Sequence, residues 1–301
     1  MLYHLDCGAL SMATCVDSST ASYAKLTDLR GLKWENQVTN LHQAVAIALL
    51  TLIANAAVAT EPLRLRILSY NIHHAEGVDG KLDVPRIADV IQSVEPDLVA
   101  LQEVDKKVQR TQSVDQPAEL ARLTKMHVAF GANIELQGGH YGNAVLSKFP
   151  IVRHENHQLP NIDAGEQRGV IEAEINVSET SPPFLLYATH LDYRADDRER
   201  LASAQKINER AARHSDRPAL LAGDLNDTSD SKTLERLASH WTRANVQPLA
   251  TTPVDQPTRQ IDFVLFRPQQ SWKVIDVKVL DEAVASDHRA IFAVLELVPG
   301  K

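Results

Sequence analysis

Five short segments of the sequence place side chains that bind metals or transfer protons beside apolar runs. They are residues 69–71 (SYN), 101–105 (LQEVD), 188–192 (ATHLD), 223–227 (GDLND) and 286–289 (SDHR). Each apolar run is long enough for a strand, and loops at strand ends commonly carry functional side chains. Hard cations bind oxygen ligands, and phosphoryl transfer needs a cation together with proton transfer by His or Asp. Five such segments in one chain predict a metal-assisted hydrolase.

Segment 223–226 (GDLN) carries the most specific local signal. Residues 219–222 (ALLA) are predicted to form a buried strand, and Gly223 permits a tight exit from it. Asp224 and Asn226, two residues apart, would then lie on the same side of the chain. Such a pair offers an acceptor that orients a hydrolytic water and an amide donor for a phosphoryl oxygen. In isolation the segment would more often be an Asx turn.

Three further candidates lie at predicted strand ends. Glu103 follows residues 99–102 (VALQ), which are predicted to end a buried strand, and a charge there is costly unless it is paired or bound to a cation. Asn71 ends the first predicted strand, and His288 precedes the last one. Alone, Asn71 would be a turn residue and His288 a surface residue. The prediction therefore depends on their occurring together.

Taken in order, the segments SYN, QE, THL, GDLN, IDF and SDH resemble the endonuclease/exonuclease/phosphatase superfamily. Its members include secreted deoxyribonucleases, abasic-site endonucleases, bacterial sphingomyelinases and inositol-polyphosphate 5-phosphatases. The resemblance covers residues 63–297 and implies an α/β (α+β) fold, a four-layer sandwich of two packed mixed β-sheets flanked by helices. It also implies a Mg²⁺-dependent phosphoesterase, with Mn²⁺ as a substitute metal.

The resemblance implies metal-binding and water-orienting roles for five residues. Asn71, Glu103 and Asp287 would bind the metal ion, with Glu103 as its principal ligand. Asp224 would orient the attacking water, and Asn226 would bind the phosphoryl oxygen.

Two histidines would complete the catalytic set. His288, oriented by Asp262, and His190 would stabilise the transition state and protonate the leaving oxygen. A buried Asp beside an imidazole fixes the tautomer and favours the charged ring. Because abasic-site endonucleases carry a Tyr-containing segment where this chain has His190, the chain is more similar to the branch of secreted nucleases, sphingomyelinases and 5-phosphatases.

Several other residues are weaker candidates. His73 and His74 follow Asn71 and could line the cleft, or they could be surface histidines. Arg168 and Arg194 could contact a phosphate, although solvated arginines are the more usual case.

The hydrophobic pattern from residue 63 onward predicts ten strands and three helices. The strands are predicted at 63–71, 98–103, 128–134, 143–147, 170–177, 184–191, 219–225, 261–266, 274–280 and 290–297. One helix would be capped by Asp83, and the others would span 117–125 and 196–213. So few helices do not fit a single parallel sheet built from βαβ units, which favours two packed sheets. No linker divides residues 60–301, so one catalytic domain is expected.

The first 59 residues are predicted to contain a signal peptide. Residues 44–59 (AVAIALLTLIANAAVA) carry no charge and end in a small-x-small triplet before Thr60, which predicts a secreted or periplasmic protein. The run is shorter than the ~20 residues of a membrane span, so no stable span is expected. Because its n-region would be unusually long, either the signal is atypical or translation starts downstream of Met1; an N-terminal anchor or a buried helix is the alternative. Cys7 and Cys15 both precede the expected cleavage site.

The charge and composition bear on the substrate. A net charge of −8, no run of Lys or Arg and 5% aromatic residues argue against a broad nucleic-acid-binding groove. The sequence therefore predicts a monomeric enzyme acting on a phosphodiester or on a small or lipid phosphoester. A secreted endonuclease acting on DNA or RNA is the alternative. An inactive binding module would be expected to have lost Glu103, Asp224 or His288, which are all present.

Overall fold

Two six-stranded mixed β-sheets are at the centre of the structure. The computed structural model describes residues 62–177 and 183–298, so the predicted signal peptide and both cysteines lie outside the described residues. In the described part, no helix combines the length and apolar content needed to cross a membrane.

The first sheet has the strand order β11-β12-β1-β2-β4-β3. Its strands are β1 (Arg64–Asn71), β2 (Leu98–Lys106), β3 (His127–Leu136), β4 (Gly139–Ser147), β11 (Trp272–Val279) and β12 (Ile291–Leu297). The central pair, β1 and β2, is parallel, and the other neighbours are antiparallel.

The second sheet has the strand order β5-β6-β7-β8-β10-β9. Its strands are β5 (Ile151–Gln158), β6 (Gly169–Ile175), β7 (Phe184–His190), β8 (Ala219–Asp224), β9 (Thr242–Arg243) and β10 (Asp262–Arg267). Here too the central pair, β7 and β8, is parallel and the other neighbours are antiparallel.

Helices cover the outer face of each sheet. They are α1 (Val84–Gln92), α2 (Gln116–Thr124), α3 (Arg198–Ala212) and α4 (Lys232–Ala238), with short 3-10 helices at His73–Ala75, Gln109–Thr111 and Gln269–Ser271. The side chains of Asp83, Asp115 and Ser231 accept hydrogen bonds from backbone amides of the first turns of α1, α2 and α4, which satisfies donors that the helix leaves free.

Three apolar clusters hold the sandwich together, one between the two sheets and one between each sheet and its helices. Alternate residues of the strands point to opposite faces of a sheet, so Ile67 lies in the core between the sheets and Leu68 lies under α1 and α2. Tyr187 packs on the other outer face, against residues of α3 and α4. The predicted four-layer sandwich of two packed mixed sheets flanked by helices is confirmed.

The structure corrects several predicted boundaries. The strand predicted at 98–103 continues to Lys106, and its pairing with β4 shifts register between Leu101 and Val104. Strands β5 and β9 and helix α4 have no counterpart among the predicted elements. Strand β5 is a largely exposed edge strand with the polar sequence IVRHENHQ, so it lacks the apolar alternation from which a strand is predicted.

Candidate active site

The parallel central strands bring the predicted site residues to one edge of the sandwich. Asn71 ends β1, His190 ends β7 and Asp224 ends β8, while Asp262 begins the antiparallel β10 directly opposite Asp224. Gly223 is needed for this arrangement, because a Cβ added there would lie 2.1 Å from the carbonyl oxygen of Thr189 on β7. Side chains from both sheets therefore meet at the carboxyl ends of their central strands.

Asn71 connects the two sheets at this edge. Its side chain is fully buried, and Nδ2 donates to Glu103 Oε1 at 3.0 Å and to Asp224 Oδ2 at 3.1 Å. The Asn71 side-chain oxygen accepts from the backbone amide of His73 at 3.1 Å, and its backbone carbonyl accepts from the Ser286 hydroxyl at 2.7 Å. The side-chain nitrogen of Asn71 thus contacts two carboxylates, one 32 residues away in the sequence (Glu103) and one 153 residues away (Asp224).

The sequence predicts Glu103 at the end of a strand. In the structure it lies inside β2, which continues to Lys106. Glu103 lies where the pairing of β2 with β4 shifts register. Its φ is 59°, in the left-handed region that residues other than glycine rarely adopt. A β-bulge changes the direction in which a side chain points, and bulges are common next to active sites. Here the bulge leaves Glu103 half-buried with its carboxylate against Asn71.

Asp224 and Asp262 form a second acidic group with His288. Asp262 Oδ2 lies 2.9 Å from His288 Nδ1, and Asp224 Oδ2 lies 3.8 Å from His288 Nε2. Burial, followed by the charge of Asp262, raises the pKa of the Asp224 carboxyl above its ordinary value. Burial alone would lower the pKa of His288, but the charges of Asp262, Asp224 and Asp287 and the hydrogen bond to Asp262 outweigh it and raise this pKa to about 10. His288 is therefore an imidazolium at neutral pH.

His190 has the opposite protonation state. Burial, and then the charges of Arg168 and His288, lower the pKa of His190 well below its ordinary value. Its Nδ1 lies 3.1 Å from Arg168 Nη1, and a guanidinium only donates hydrogen bonds, so Nδ1 accepts. Its Nε2 lies 2.9 Å from the side-chain nitrogen of Asn226 and 3.4 Å from Asp224 Oδ2.

The contacts join seven of the eight predicted site residues and leave one apart. The seven are Asn71, Glu103, His190, Asp224, Asn226, Asp262 and His288. Asp287 is exposed, its described hydrogen bond is with the Ser286 hydroxyl at 3.3 Å, and it belongs to neither of the two groups of closely spaced metal-binding side chains in the described residues.

A hard cation fits this donor set. Glu103 and Asp224 both lie within hydrogen-bond distance of one amide nitrogen, and Asp262 is a third carboxylate whose Oδ1 is buried without a partner in the described residues. The imidazolium of His288 is the one cation that contacts Asp224 and Asp262 among these side chains. Buried carboxylates require compensation by positive charge, and oxygen ligands are those that Mg²⁺ prefers.

The arginines near the site are engaged in ion pairs. Arg194 contacts Asp192 at 2.9 Å and Glu199 at 2.6 Å, and Arg168 contacts Glu166 at 2.7 Å as well as His190. These pairs connect the loops around β7, so the two arginines have structural partners. The contact of Arg168, which directly precedes β6, with His190 at the end of β7 was not apparent from the sequence, because no local pattern shows which strands are neighbours or in which register they pair.

The chain is similar to known proteins in sequence and in fold. The sequence model of the Endonuclease/Exonuclease/phosphatase family matches residues 68–288. YbhP, an uncharacterised protein of Escherichia coli, is 28% identical to the chain over 253 residues, which cover 79% of this chain and 98% of YbhP. The crystal structure of an endonuclease/exonuclease/phosphatase from Beutenbergia cavernae is 27% identical, with a TM-score of 0.66, and the match covers 78% of this chain and 72% of that one.

A mannosyl-6-phosphatase from Bacteroides thetaiotaomicron has a similar fold. It is 20% identical, with a TM-score of 0.63, and the match covers 78% of this chain and 100% of that one. At this level of identity the similarity concerns the fold alone.

Proposed function

The chain belongs to the endonuclease/exonuclease/phosphatase family, and we propose on this basis that it is a metal-dependent phosphoesterase that cleaves a P–O bond by attack of water. The observation that carries the proposal is the contact of Asn71 with Glu103 and Asp224, beside the Asp262–His288 pair. It combines an acidic oxygen donor set with a protonated imidazole, and phosphoester hydrolysis needs both.

The metal would be Mg²⁺, with Mn²⁺ as a substitute. Glu103 would be its principal ligand, and Asp287 and the side-chain oxygen of Asn71 would be its further ligands. When bound, the ion would stabilise negative charge on a non-bridging phosphate oxygen.

The remaining residues would act on the water and on the leaving group. Asp224 is the acceptor that orients the water. The backbone amide of Asn226 donates to Asp224 Oδ1 at 2.9 Å and fixes the carboxylate. His288 carries the proton that the leaving oxygen needs, and Asp262 fixes its tautomer. His190 and the Asn226 amide would stabilise the charge that develops on the phosphoryl group.

The substrate would be a small or lipid phosphoester rather than duplex DNA. The net charge is −8, and the arginines next to the site are used in ion pairs with Asp192, Glu199 and Glu166. A nuclease engages several phosphates with free Lys or Arg side chains. Of the family's branches, His190 favours the one that contains secreted nucleases, sphingomyelinases and 5-phosphatases.

A substrate panel tests this proposal. We expect Mg²⁺-dependent hydrolysis of a sugar phosphate, sphingomyelin or a phosphatidylinositol phosphate to exceed that of plasmid DNA and single-stranded RNA. The rate should change little between low and high salt, since one phosphate is bound. Asp224→Asn, assayed in parallel, controls for contaminating hydrolases. Rapid plasmid degradation that collapses at high salt would instead make the protein a nuclease.

We also propose that the protein is exported and acts outside the cytoplasm as a monomer. The charge-free run of residues 44–59, followed by Thr60, supports export. N-terminal sequencing of the protein from its native host should give a first residue at or near Thr60. Recovery of a cytoplasmic protein that retains Cys7 would contradict the proposal.

A further inference from the structure

Two histidines that have no role in the proposed reaction form a group of metal-binding side chains with Glu103. His73 and His74 lie in the 3-10 turn His73–Ala75, directly after Asn71. One ligand atom from each imidazole and one oxygen of the Glu103 carboxylate all lie within 4.8 Å of one another. Two imidazole nitrogens with one carboxylate form a donor set that suits Zn²⁺ and similar transition-metal ions better than Mg²⁺.

The hydrogen bonds of the two imidazoles leave one lone pair on each ring. His73 Nδ1 lies 3.0 Å from the backbone carbonyl oxygen of Glu76. A carbonyl only accepts, so Nδ1 carries the proton and Nε2 carries the lone pair. His74 Nε2 lies 3.4 Å from the Glu76 carboxylate, an acceptor that favours a proton on Nε2. Imidazoles that bind metals show this arrangement, with the other ring N–H donated to a carbonyl or a carboxylate.

The free nitrogen of His74 is buried without a partner. His74 is 9% exposed, and its Nδ1 contacts no hydrogen-bonding group in residues 62–177 and 183–298. A buried acceptor without a partner costs free energy, which a bound cation would remove.

The backbone of this turn is strained in the way that ligand-binding turns are. His73, His74 and Ala75 have φ values of 44°, 43° and 63°, three successive left-handed residues without a glycine. Gln116 fixes the turn, since its Nε2 donates to the His74 carbonyl at 2.6 Å and its Oε1 accepts from the Asp105 amide on β2 at 3.0 Å. Strain of this kind persists where the surrounding structure imposes it, often at ligand sites.

We propose that His73, His74 and Glu103 bind a second divalent cation, a transition-metal ion such as Zn²⁺, and that Glu103 is shared between this ion and the Mg²⁺ of the proposed active site. The nearby guanidinium of Arg110 is paired with the fully buried Asp105 at 2.8 Å, which offsets part of its charge. The inference concerns binding, so it can fail while the proposed phosphoesterase activity stands.

The test measures Zn²⁺ binding rather than activity. Full-length protein is stripped with a chelator, dialysed into excess Mg²⁺ and titrated with Zn²⁺ in a calorimeter. The variants are His73→Asn and His74→Asn, because asparagine tolerates the left-handed backbone that the turn requires. The matched control is His154→Asn, at an exposed histidine of β5. Cys7 and Cys15 are present in every variant, so Zn²⁺ bound by them does not affect the comparison.

We expect the wild type and His154→Asn to bind Zn²⁺ with equal affinity, and His73→Asn and His74→Asn to bind it about 100-fold more weakly or not at all. Equal affinity in all four proteins, or no Zn²⁺ binding by the wild type, would overturn the proposal. X-ray absorption of the wild type with one equivalent of Zn²⁺ gives an answer that does not depend on the folding of the variants. Imidazole nitrogens at about 2.0–2.1 Å would support the site, and an oxygen-only shell would refute it.

Discussion

Replacing Glu103 by alanine should lower the Mg²⁺-dependent turnover of bis-p-nitrophenyl phosphate by about 10²–10³-fold. Glu103 is half-buried at the bulge of β2, and its carboxylate contacts the same Asn71 amide as Asp224 does. Its removal would take away the principal oxygen ligand of the proposed cation, and with it the stabilisation of charge that develops on the phosphate. The measurement is the initial rate with Mg²⁺, with Mn²⁺ and with EDTA.

Two controls make the result specific to the site. Glu135→Ala removes an exposed carboxylate from β3 of the same sheet and should retain the wild-type rate. Far-UV circular dichroism of Glu103→Ala shows whether the fold is intact. Undiminished turnover by folded Glu103→Ala would remove Glu103 from the proposed site, and wild-type turnover in EDTA would refute metal dependence altogether.

Replacing Asp262 by asparagine should lower the turnover by about 10²–10⁴-fold, the range expected when proton transfer is lost. Against the opposing effect of burial, Asp262 is the largest contributor that raises the pKa of His288 to about 10. An uncharged amide would let this pKa fall, so the imidazole would lose its proton at lower pH. The alkaline limb of the remaining activity should therefore move to lower pH, and a pH–rate profile measures this shift.

The same pair predicts how stability depends on pH. A histidine whose pKa is raised by folding contributes stability that is fully present below its ordinary pKa, near 6.5, and that is lost as the pH rises through about 10. In urea unfolding without metal, the wild type should lose stability across this window, and Asp262→Asn should lose less. Asp276→Asn, at an exposed aspartate of β11, is the matched control. A pH–rate profile and a stability profile of Asp262→Asn that both match the wild type would show that Asp262 does not control His288.

The sequence by itself determined the fold class and the positions of the central strands. The runs that become β7, β8 and β10 are buried at every residue, and β1 is buried from Ile67 onward, so the apolar composition of these runs was enough to predict buried strands. The caps of α1, α2 and α4 are local as well, because a side chain and the amides three residues later belong to the same segment. The order of the SYN, QE, THL, GDLN, IDF and SDH segments indicated the family, which the match over residues 68–288 confirms.

Only the tertiary structure decided which of these residues meet. The contact between Asn71 and Asp224 joins two sheets, and it depends on how the sheets pack and which way each side chain points. No local pattern contains this information, since a shift of one residue turns every side chain of a strand to its other face. The bulge at Glu103 is such a local change of direction, and it moves a residue predicted at a strand end into the middle of β2.

Charge and exposure were likewise decided by packing. The sequence does not show which of His190 and His288 carries a charge. In the structure Arg168 contacts His190, whose pKa is lowered, and Asp262 contacts His288, whose pKa is raised. The lone pair of His74 is visible only because the structure shows that nothing donates to it in the described residues. An imidazole acquires its protonation state from its neighbours, and in this chain those neighbours come from strands and loops that are distant in sequence.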